Sequence, residues 1–369
     1  MTVQETRLAS RAPGEVKVER RPRRILEHLQ LGTNIPVLPE FQKYVLRNLK
    51  RFDARALLFV EDLDEHLAAR FEKPDDVTGI CVAYDDGGDT LFFGFLGTLD
   101  HDPRKVDALI DGLLDLALSR GYKFVRGPIN VPTVIFGWGF PLPGSRSDLF
   151  VGCPVAPPVY LERLEAAQFD VLFEEDRYRC DLVRFDPMAG GPLVAKYDYG
   201  DYEYFNPADK EEAQSLKADF VDLHAKFMPP SARITPNSAG NAEDIVDFVF
   251  EFGNPGMIWG VRHRPTGDVV ACGYVIPNPF SRDKRGNLNS VSMHDWVVHP
   301  DHRRAGLAML MYGGSSLRLV PSRRNDPHPE RTFTWGSWPV GSENEANSAA
   351  ARKMGGVRDR THLIFQRYA

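Results

Sequence analysis

One segment of this sequence constrains its fold more than any other: the run from Val298 to Ala308 reads Val-His-Pro-Asp-His-Arg-Arg-Ala-Gly-Leu-Ala. A strand-like stretch begins at Ser290 and ends before Pro300, because proline has no backbone N–H to give to a ladder. A helix-like stretch follows the loop. A small residue such as Gly306 lets a ligand approach the backbone, and the unpaired N–H groups of a first helical turn attract anions. The segment therefore predicts a strand, a tight loop and a helix start that bind a phosphate-bearing ligand.

The spacing of this segment separates it from two other phosphate-binding motifs. A Walker loop needs Gly-Lys-Ser or Gly-Lys-Thr after a longer glycine-rich stretch, and a dinucleotide fingerprint needs three glycines directly after a strand. The pattern here, Val-x-Pro-x-x-Arg-x-x-Gly-x-Ala, resembles the pyrophosphate loop of the GNAT superfamily of acyl-CoA N-acyltransferases. The alternative interpretation is a helix start whose Arg, Gly and Ala residues have purely structural roles.

Length and composition bound the class of protein. A chain of 369 residues is long for one hydrophobic core and predicts two domains, and 43% hydrophobic with 26% charged residues is typical of soluble globular proteins. No apolar run reaches the roughly 20 residues of a membrane span. The arginine-rich start lacks the apolar segment of a signal peptide, so we expect a cytoplasmic protein with a frayed N-terminus.

Charge and ligand types exclude several other functions. A net charge of -6 argues against a general nucleic-acid surface, which needs a basic face to displace counterions. The four cysteines form no Cys-x-x-Cys pair, so neither a zinc ribbon nor a disulfide scaffold is expected. One cluster could be interpreted as a metal site, but its histidines flank a proline in a turn and are not expected to converge, so no metal is predicted. Its members are His294, Asp295, His299, Asp301 and His302.

The order of predicted elements indicates an α/β protein, of the mixed-sheet α+β kind, with two similar halves. Apolar runs and alternation predict strands, and the 3.6-residue period predicts helices. The predicted strands are 16–18, 56–60, 79–84, 90–99, 123–125 and 171–183, then 203–205, 257–261, 269–276, 290–298, 331–335 and 362–367. The predicted helices are pieces of 25–52, 106–117, 160–167, 209–227, 242–252, a run to about 319, and 343–354. This order resembles two tandem GNAT-like domains.

The predicted boundaries follow from that division. Residues 1–15 form a flexible tail, and 16–186 form a first GNAT-like domain. Residues 187–200 form a linker around Gly190-Gly191, where apolar content is low. Residues 201–369 form a second GNAT domain with the acyl-CoA site.

The two halves can be aligned on the loop segment. Setting Leu99 opposite Val298 places Asp107 opposite Gly306, so a carboxylate and a Cβ would stand where a pyrophosphate needs bare backbone. The first copy is therefore predicted to be degenerate and without a cofactor. Its long loop, 127–158, carries aromatic side chains that either line an acceptor pocket or fill the core between the halves.

The resemblance implies a cofactor, acetyl-CoA or another acyl-CoA, and a set of residues around it. In this superfamily the strand before the loop splays from its neighbour, and its backbone bonds the pantetheine. The helix that starts after Glu343 and ends in Lys-Met-Gly resembles the family helix whose asparagine contacts the cofactor arm. The implied cofactor-binding residues are Trp296, Val298, Arg303, Arg304, Gly306, Ala308 and Asn344.

Acyl transfer to an amine also needs a base, because only a neutral amine attacks the thioester carbonyl. The candidates near the predicted site are Asp295, His294, His299 and Glu343, and Asp295 stands where the family often has an acidic residue. The alternative for Asp295 is a structural hydrogen bond. The family tyrosine that protonates the leaving thiolate is replaced by Ala351, which leaves water, Tyr274 or Ser342 as proton donors, or no catalysis at all.

The predicted function is acyl-CoA-dependent N-acylation of a small-molecule or peptide amine, with acetyl transfer as the simplest case. The alternative is a non-catalytic acyl-CoA-binding or protein-interaction module of GNAT fold, which the loss of the tyrosine at Ala351 would favour. The sequence leaves open the acceptor, the acyl length and the oligomeric state.

Overall fold

The computed structural model describes residues 14–61, 76–182, 198–227, 235–236, 238–252, 255–311, 314, 333–353 and 355–369. Its strands are β1 (Glu15–Glu19), β2 (Arg55–Val60), β3 (Val77–Asp85), β4 (Thr90–Thr98), β5 (Phe124–Gly127), β6 (Phe140–Pro141), β7 (Asp170–Asp181), β8 (Tyr202–Phe205), β9 (Ile258–His263), β10 (Val269–Pro277), β11 (Ser290–Val298), β12 (Trp335–Gly341) and β13 (Val357–Tyr368). Its helices are α1 (Pro22–His28), α2 (Gln42–Arg51), α3 (Pro103–Arg120), α4 (Thr133–Phe136), α5 (Pro158–Ala166), α6 (Lys210–Ser215), α7 (Lys217–Phe227), α8 (Ser238–Phe252) and α9 (Glu345–Lys353). A further helix begins at Leu307.

One continuous sheet runs through both halves of the chain. Its strand order is β1-β2-β3-β4-β5-β13-β7-β12-β11-β10-β9-β8, and β6 pairs with β13. The first half (residues 14–182) thus supplies five strands on one side and the second half (198–369) supplies five on the other. The last strand of each half lies beside the other half: β13 pairs with β5, and β7 pairs with β12. The two halves have exchanged their final strands.

The exchanged strands pair with each other at the centre of the sheet, and the pairing is symmetric. Antiparallel β7 and β13 lie side by side from Asp170 to Arg179, and Glu175 stands opposite His362. Tyr178 of β7 pairs with Trp338 of β12, and Phe365 of β13 pairs with Gly127 of β5 in the same way. Tyr178 and Phe365 are therefore equivalent positions, 187 residues apart, and Glu175 and His362 are separated by the same 187 residues. A pseudo-two-fold axis therefore passes through the Glu175 and His362 pair.

This central pair is buried and polar. Glu175 is 4% exposed and His362 is fully buried. Arg177 Nη2 lies 2.8 Å from Glu175 Oε1 and donates to the carbonyl oxygen of Gly152, also at 2.8 Å. Burial lowers the pKa of His362 to about 3, so the imidazole is neutral, and its Nε2 lies 3.0 Å from the carbonyl oxygen of Pro154. A slip of β7 against β13 would carry Arg177 away from the carbonyl oxygen of Gly152 and leave a buried donor unpaired.

Helices cover both faces of the sheet. Residues of α1, α2, α7 and α8 share one hydrophobic core that spans both halves, so these four helices lie on a common face. On the opposite face α3 and α5 cover the first half, while the helix that begins at Leu307 and α9 cover the second half. No helix among the residues described above is long and apolar enough to cross a membrane.

Ion pairs join α2 of the first half to α8 of the second. The basic residues on α2 are four positions apart, so they share one helix face, and α8 presents acidic residues to them. Asp244 has a fully buried side chain, and loss of its cationic partners would leave an uncompensated charge. The pairs are Lys43 with Glu251, Arg47 with Asp247 and Asp244, and Arg51 with Asp244 and Glu243.

The element order predicted from the sequence is confirmed, with local differences. The helix predicted over 209–227 is two helices, α6 and α7, and the linker 187–200 lies mostly outside the described residues. The strand prediction over 331–335 was wrong, since β12 runs from Trp335 to Gly341. Two glycines and Pro339 hide this strand from propensity-based reasoning. Pairing with β11 has ended before Pro339, so the missing N–H removes no bond on that side.

The strand exchange predicts that neither half folds alone. Residues 193–369 without the first half would lack β7, which pairs with seven residues of β12 and with β13. We expect this fragment to give an unfolded or aggregated product by circular dichroism and size exclusion, because two long strand edges would be open. Co-expression with residues 1–186 should restore a soluble one-to-one complex. A monomeric, cooperatively folding fragment would contradict the exchange.

Candidate functional site

Each half contains one pair of parallel neighbouring strands that separates after a short contact. In the first half β4 pairs with β5 over Thr90 to Phe92, and in the second half β11 pairs with β12 over Ser290 to Ser292. Beyond these residues β4 and β11 remain paired only with their other neighbours, β3 and β10. A gap therefore opens between the parallel strands of each half.

A β-bulge lies beside each gap. In the first half, the three steps from Gly94 to Gly97 on β4 lie opposite only two steps on β3. In the second half, the three steps from His294 to Val297 on β11 lie opposite only two steps on β10. A bulge inserts one extra residue and turns the strand. Phe95 in the first bulge has a positive φ of 47°. The two halves thus share the same irregularity at equivalent places.

These features fix the alignment of the halves. Thr90 matches Ser290 and Gly94 matches His294, so the offset in β4 and β11 is 200 positions and Thr98 matches Val298. The sequence alignment that set Leu99 opposite Val298 was therefore shifted by one residue.

The placement of Asp107 opposite Gly306 was also wrong. Helix α3 begins at Pro103, five residues after Thr98, whereas the second-half helix begins nine residues after Val298. The first half lacks the intervening loop. Asp107 lies inside α3, where Arg163 Nε donates to its carboxylate at 2.6 Å.

The chain itself fills the gap of the first half. After Gly127 the chain leaves β5 and enters the gap, where the N–H of Ile129 donates to Phe93 O at 2.7 Å. Asn130 Oδ1 accepts from the N–H of Phe95 at 2.6 Å, and the hydroxyl of Tyr160 accepts from the N–H of Thr98 at 2.9 Å. The backbone groups that the separation of β4 and β5 leaves unpaired are thus bonded by the first half's own loop and helix.

Aromatic packing closes this gap further. Phe136 is fully buried and packs edge-on against Phe95, with ring centroids 5.3 Å apart. Asn130 is 4% exposed. The loop 127–158 was predicted either to line an acceptor pocket or to fill the core between the halves. For Asn130 and Phe136 the structure supports core filling.

The second half takes a different path at the equivalent point. Instead of turning inward, β12 continues to Gly341 and stays paired with β7, with Trp338 opposite Tyr178 and Val340 opposite Asp176. Among the described residues, no backbone pairing joins β12 to β11 beyond Ser292. Within the part of the chain that the structure describes, no segment like the one that fills the first half closes the gap beside 293–298.

The loop at the end of β11 turns tightly into the start of a helix. Residues 300–302 form one 3-10 turn, Arg304 and Gly306 have φ values of 72° and 77°, and the helix begins at Leu307. The carbonyl of Gly306 accepts from the N–H groups of Met309 and Leu310, so the earlier N–H groups point out of the helix start. Exposed backbone donors at a helix start attract phosphate groups.

Comparison with known proteins supports this geometry at the level of the fold. No protein-family model and no curated protein matches the chain. A tandem GNAT protein from the clavulanic acid biosynthesis pathway, solved without AcCoA, matches with a TM-score of 0.57 at 15% identity, over 96% of this chain and 98% of its own. This chain has a tandem GNAT fold.

Two further structures share the GNAT fold. A GCN5-related glucosamine N-acetyltransferase region of a fungal multi-domain GH3 beta-N-acetylglucosaminidase matches at a TM-score of 0.57 and 11% identity, over 96% of this chain and 38% of that chain. A probable N-acyltransferase of Enterococcus faecalis V583 matches at 0.53 and 8% identity, over 96% and 72%. Identities this low show the fold and leave chemistry to the residues.

Most of the predicted cofactor residues belong to the end of β11 and the loop after it. Arg304 and Ala308 are exposed at the loop and helix start. Arg303 is also exposed, but its guanidinium donates to Val298 O at 3.2 Å and to Phe227 O at 3.3 Å. This arginine therefore ties the end of β11 to the end of α7.

Asn344 has a clear local role. Its Oδ1 accepts from the N–H of Asn347 at 3.2 Å, so it caps the start of α9, as asparagine commonly does. It is exposed in the turn after β12, together with Glu343. Three arginines that follow the helix start at Leu307 in the sequence, Arg318, Arg323 and Arg324, are further candidates for holding an anionic ligand and lie outside the described residues.

Two of the candidate bases belong to the bulge, and the third follows β12. His294 and Asp295 belong to the bulged part of β11, where their backbone is described and their side chains are not. Glu343 is exposed before α9.

Of the alternative proton donors, Tyr274 is fully buried, with its hydroxyl 3.1 Å from Nε2 of His224. Burial lowers the pKa of His224 to about 3, so this histidine is neutral. Ala351 is fully buried in a small core with Trp338 and Tyr178.

The described members of the histidine cluster contact other rings. The rings of His299 and His302 are 5.5 Å apart, and His302 lies 4.8 Å from His263 and bonds the hydroxyl of Tyr202. Burial and the neighbouring imidazoles lower the pKa of His302. No group of three or more potential ligands converges among the described residues.

The filled gap of the first half predicts a stability effect at Asn130. Substitution Asn130→Ala removes the acceptor of the buried Phe95 N–H, and we expect the free energy of unfolding to fall by about 1–3 kcal/mol. Urea denaturation measures this change. The exposed Asn287→Ala is the control and should stay within about 0.5 kcal/mol. Equal effects for both variants would show that the Asn130 bond is not what closes the gap.

Proposed function

We propose that the second half binds an acyl-CoA in the gap between β11 and β12 and transfers its acyl group to an amine. The observation that carries the proposal is the contrast between two equivalent gaps: one is filled by its own chain, and the other is left beside a loop shaped for phosphate. The backbone N–H and C=O groups on the separated edge of β11 need hydrogen-bond partners, because a buried unpaired donor or acceptor destabilises the folded state. A pantetheine arm with its two amides suits that requirement.

The proposed cofactor contacts follow from position. The backbone of Trp296 and Val298 borders the gap and would bond the pantetheine. The N–H groups from Arg304 to Ala308 would hold the pyrophosphate, and Arg303 would keep the loop in place through Val298 O. Asn344 would act near the arm by fixing the start of α9.

The first half is proposed to be a degenerate copy without a cofactor. Asn130 and Tyr160 already bond the N–H groups of Phe95 and Thr98, which match Asp295 and Val298. Binding a second acyl-CoA would require those bonds to break and the buried Phe136 to move. The role of this half is structural: it supplies β7, and its helices share the core that backs the second half's α7 and α8.

Catalysis in this proposal needs one proton removed from the amine and one delivered to the thiolate. The amine nitrogen forms a bond to the thioester carbonyl carbon, the carbon–sulfur bond breaks, and CoA leaves as a thiol. Asp295 at the bulge is the first candidate for the base, with His294 and Glu343 as the others. Ala351 offers no proton, and Tyr274 is engaged with His224, so water is the proposed donor to sulfur.

The acceptor is proposed to be a small-molecule or peptide amine. The alternative function, an acyl-CoA-binding module without catalysis, keeps the same loop and gap and is favoured by Ala351. The two are separated by one comparison on one sample: CoA affinity by calorimetry, and thiol release from acetyl-CoA across an amine panel. Binding with turnover supports the enzyme, and binding without turnover supports the module.

The cofactor site predicts a loss of binding at Gly306. Gly306 has φ 77°, so Gly306→Asp strains the loop and places a carboxylate among the phosphates. We expect CoA affinity to fall at least about tenfold by calorimetry, which is about 1.4 kcal/mol. Gly267→Asp is the control, because Gly267 has φ 80° with open space around it on the β9–β10 hairpin. Arg303→Ala should weaken binding less than Gly306→Asp, since the backbone donors remain.

An unchanged CoA affinity in Gly306→Asp would remove the loop from the site. Equal losses in Gly306→Asp and Gly267→Asp would assign the effect to general strain.

The base assignment predicts a separation of turnover from binding. Substitution Asp295→Asn should lower kcat by about a hundredfold or more while the CoA dissociation constant stays within twofold, because only the transition state loses an interaction. His294→Gln and Glu343→Gln are assayed beside it. Wild-type turnover in Asp295→Asn would transfer the role to whichever of the other two variants is slowed.

A further inference from the structure

Three tryptophans form a row on one face of the sheet in the second half. The rings of Trp259 on β9 and Trp296 on β11 are 6.0 Å apart and perpendicular. Trp296 and Trp338 on β12 are 5.8 Å apart with planes tilted by 37°. Since β11 and β12 no longer pair at this level, the contact between the last two indoles bridges the open gap.

The row depends on a residue without a side chain between its members. Gly273 on β10 lies beneath the first two rings, and a Cβ there would stand 2.5 Å from Trp259 Nε1 and 2.8 Å from Trp296 Cδ1. Any side chain at Gly273 would push the indoles apart. The position of Trp296 is therefore fixed from one side by Trp259 and Gly273 and from the other by Trp338.

The first half has no such row. By the strand register, Trp259 matches Leu57, Gly273 matches Cys81, Trp296 matches Leu96 and Trp338 matches Gly127. The half whose gap is filled carries none of the four residues. The three indoles thus occur only in the half whose gap is open. If they were needed only to stabilise the fold, both halves would need them equally.

The shape of the gap shows where the end of a bound chain would lie. From the phosphate loop the gap runs back along β11 for about 20 Å, at roughly 3.3 Å for each of the six steps from Val298 to Ser292. There the strands meet again, because Ser292 pairs with Ser337. A ligand held by its phosphates at the loop therefore has its far end in a closing wedge beside Trp338, the residue after Ser337, whose indole contacts that of Trp296.

We propose that Trp296 and Trp338 form the wall that restricts the acyl group to a short chain, of the size of acetyl or propionyl. This inference rests on the proposed function and names the substrate class of the same site. Trp338 is 8% exposed and Trp296 is partly exposed, and the contact between their rings covers the gap on the face of the sheet where they lie. The amine then has to arrive from the opposite face, where α7 and α8 lie.

The test measures binding of an acyl series, so it needs no acceptor. Dissociation constants for CoA, acetyl-CoA, butyryl-CoA and hexanoyl-CoA are measured by calorimetry on the full-length protein and its variants. In the wild type hexanoyl-CoA should bind at least about tenfold more weakly than acetyl-CoA. In Trp338→Ala the order should reverse, with a gain of up to about fourfold for each methylene that becomes buried.

Three variants keep the test decisive. Trp338→Phe and Trp296→Leu open less space and should shift the preference toward butyryl-CoA even if Trp338→Ala fails to fold. Trp335→Phe is the matched control, because Trp335 lies on the same strand but stacks on Arg179, with the guanidinium 3.7 Å from its ring, and contacts Phe150. It should keep the wild-type profile.

The outcomes separate the two proposals. If CoA itself does not bind the wild type, the proposed function fails and this inference fails with it. If CoA binds, but wild type, Trp338→Phe and Trp296→Leu share one chain-length profile, the acyl wall is refuted while the cofactor site stands. If the wild type already binds hexanoyl-CoA as tightly as acetyl-CoA, the indoles are core residues only.

Discussion

The exchange of the last strands is the constraint on which the rest of this structure depends. Strand β7 from the first half lies between β12 and β13, and β13 from the second half lies between β5 and β7, so every strand pair at the centre joins both halves. The buried Glu175 and Arg177 fix the register there, since a slip by one residue would move both to the other face. The first half is therefore needed by the second, because the gap of the second half is bordered by β12, which β7 supports.

The difference between the two gaps arises from one change of direction. Both halves carry the same bulge and the same parallel pair, but after Gly127 the chain turns inward, whereas β12 continues past its equivalent, Trp338. In one case an asparagine and a tyrosine hydroxyl complete the backbone bonds. In the other the aromatic row narrows the gap from one face, and among the described residues the edge of β11 beyond Ser292 has no paired strand on that side. The same framework thus supports a closed core and a candidate binding site.

The sequence predicted much of this and missed what is non-local. Apolar periodicity found α3 and the strands of both hairpins, and the segment ending at Ala308 located the loop with its helix start. Local patterns cannot show which strands become neighbours, so the exchange of β7 and β13 was invisible, as was the filling of the first gap by Asn130. The alignment of the halves slipped by one because the first half's loop is shorter, and only the paired bulges fix the offset.

The exchange also sets an order of events during synthesis. The first half emerges from the ribosome with β5 and β7 made, yet the strand that lies between them, β13, is translated after every other strand of the sheet. Until residues 357–368 are made, the edges of β5 and β7, which precede their β13 partners by about 240 and 190 positions, stay open in the nascent chain, and open strand edges recruit other chains. Closure of the sheet is thus a late step, and the period before it is when this protein is most exposed to aggregation and to chaperones.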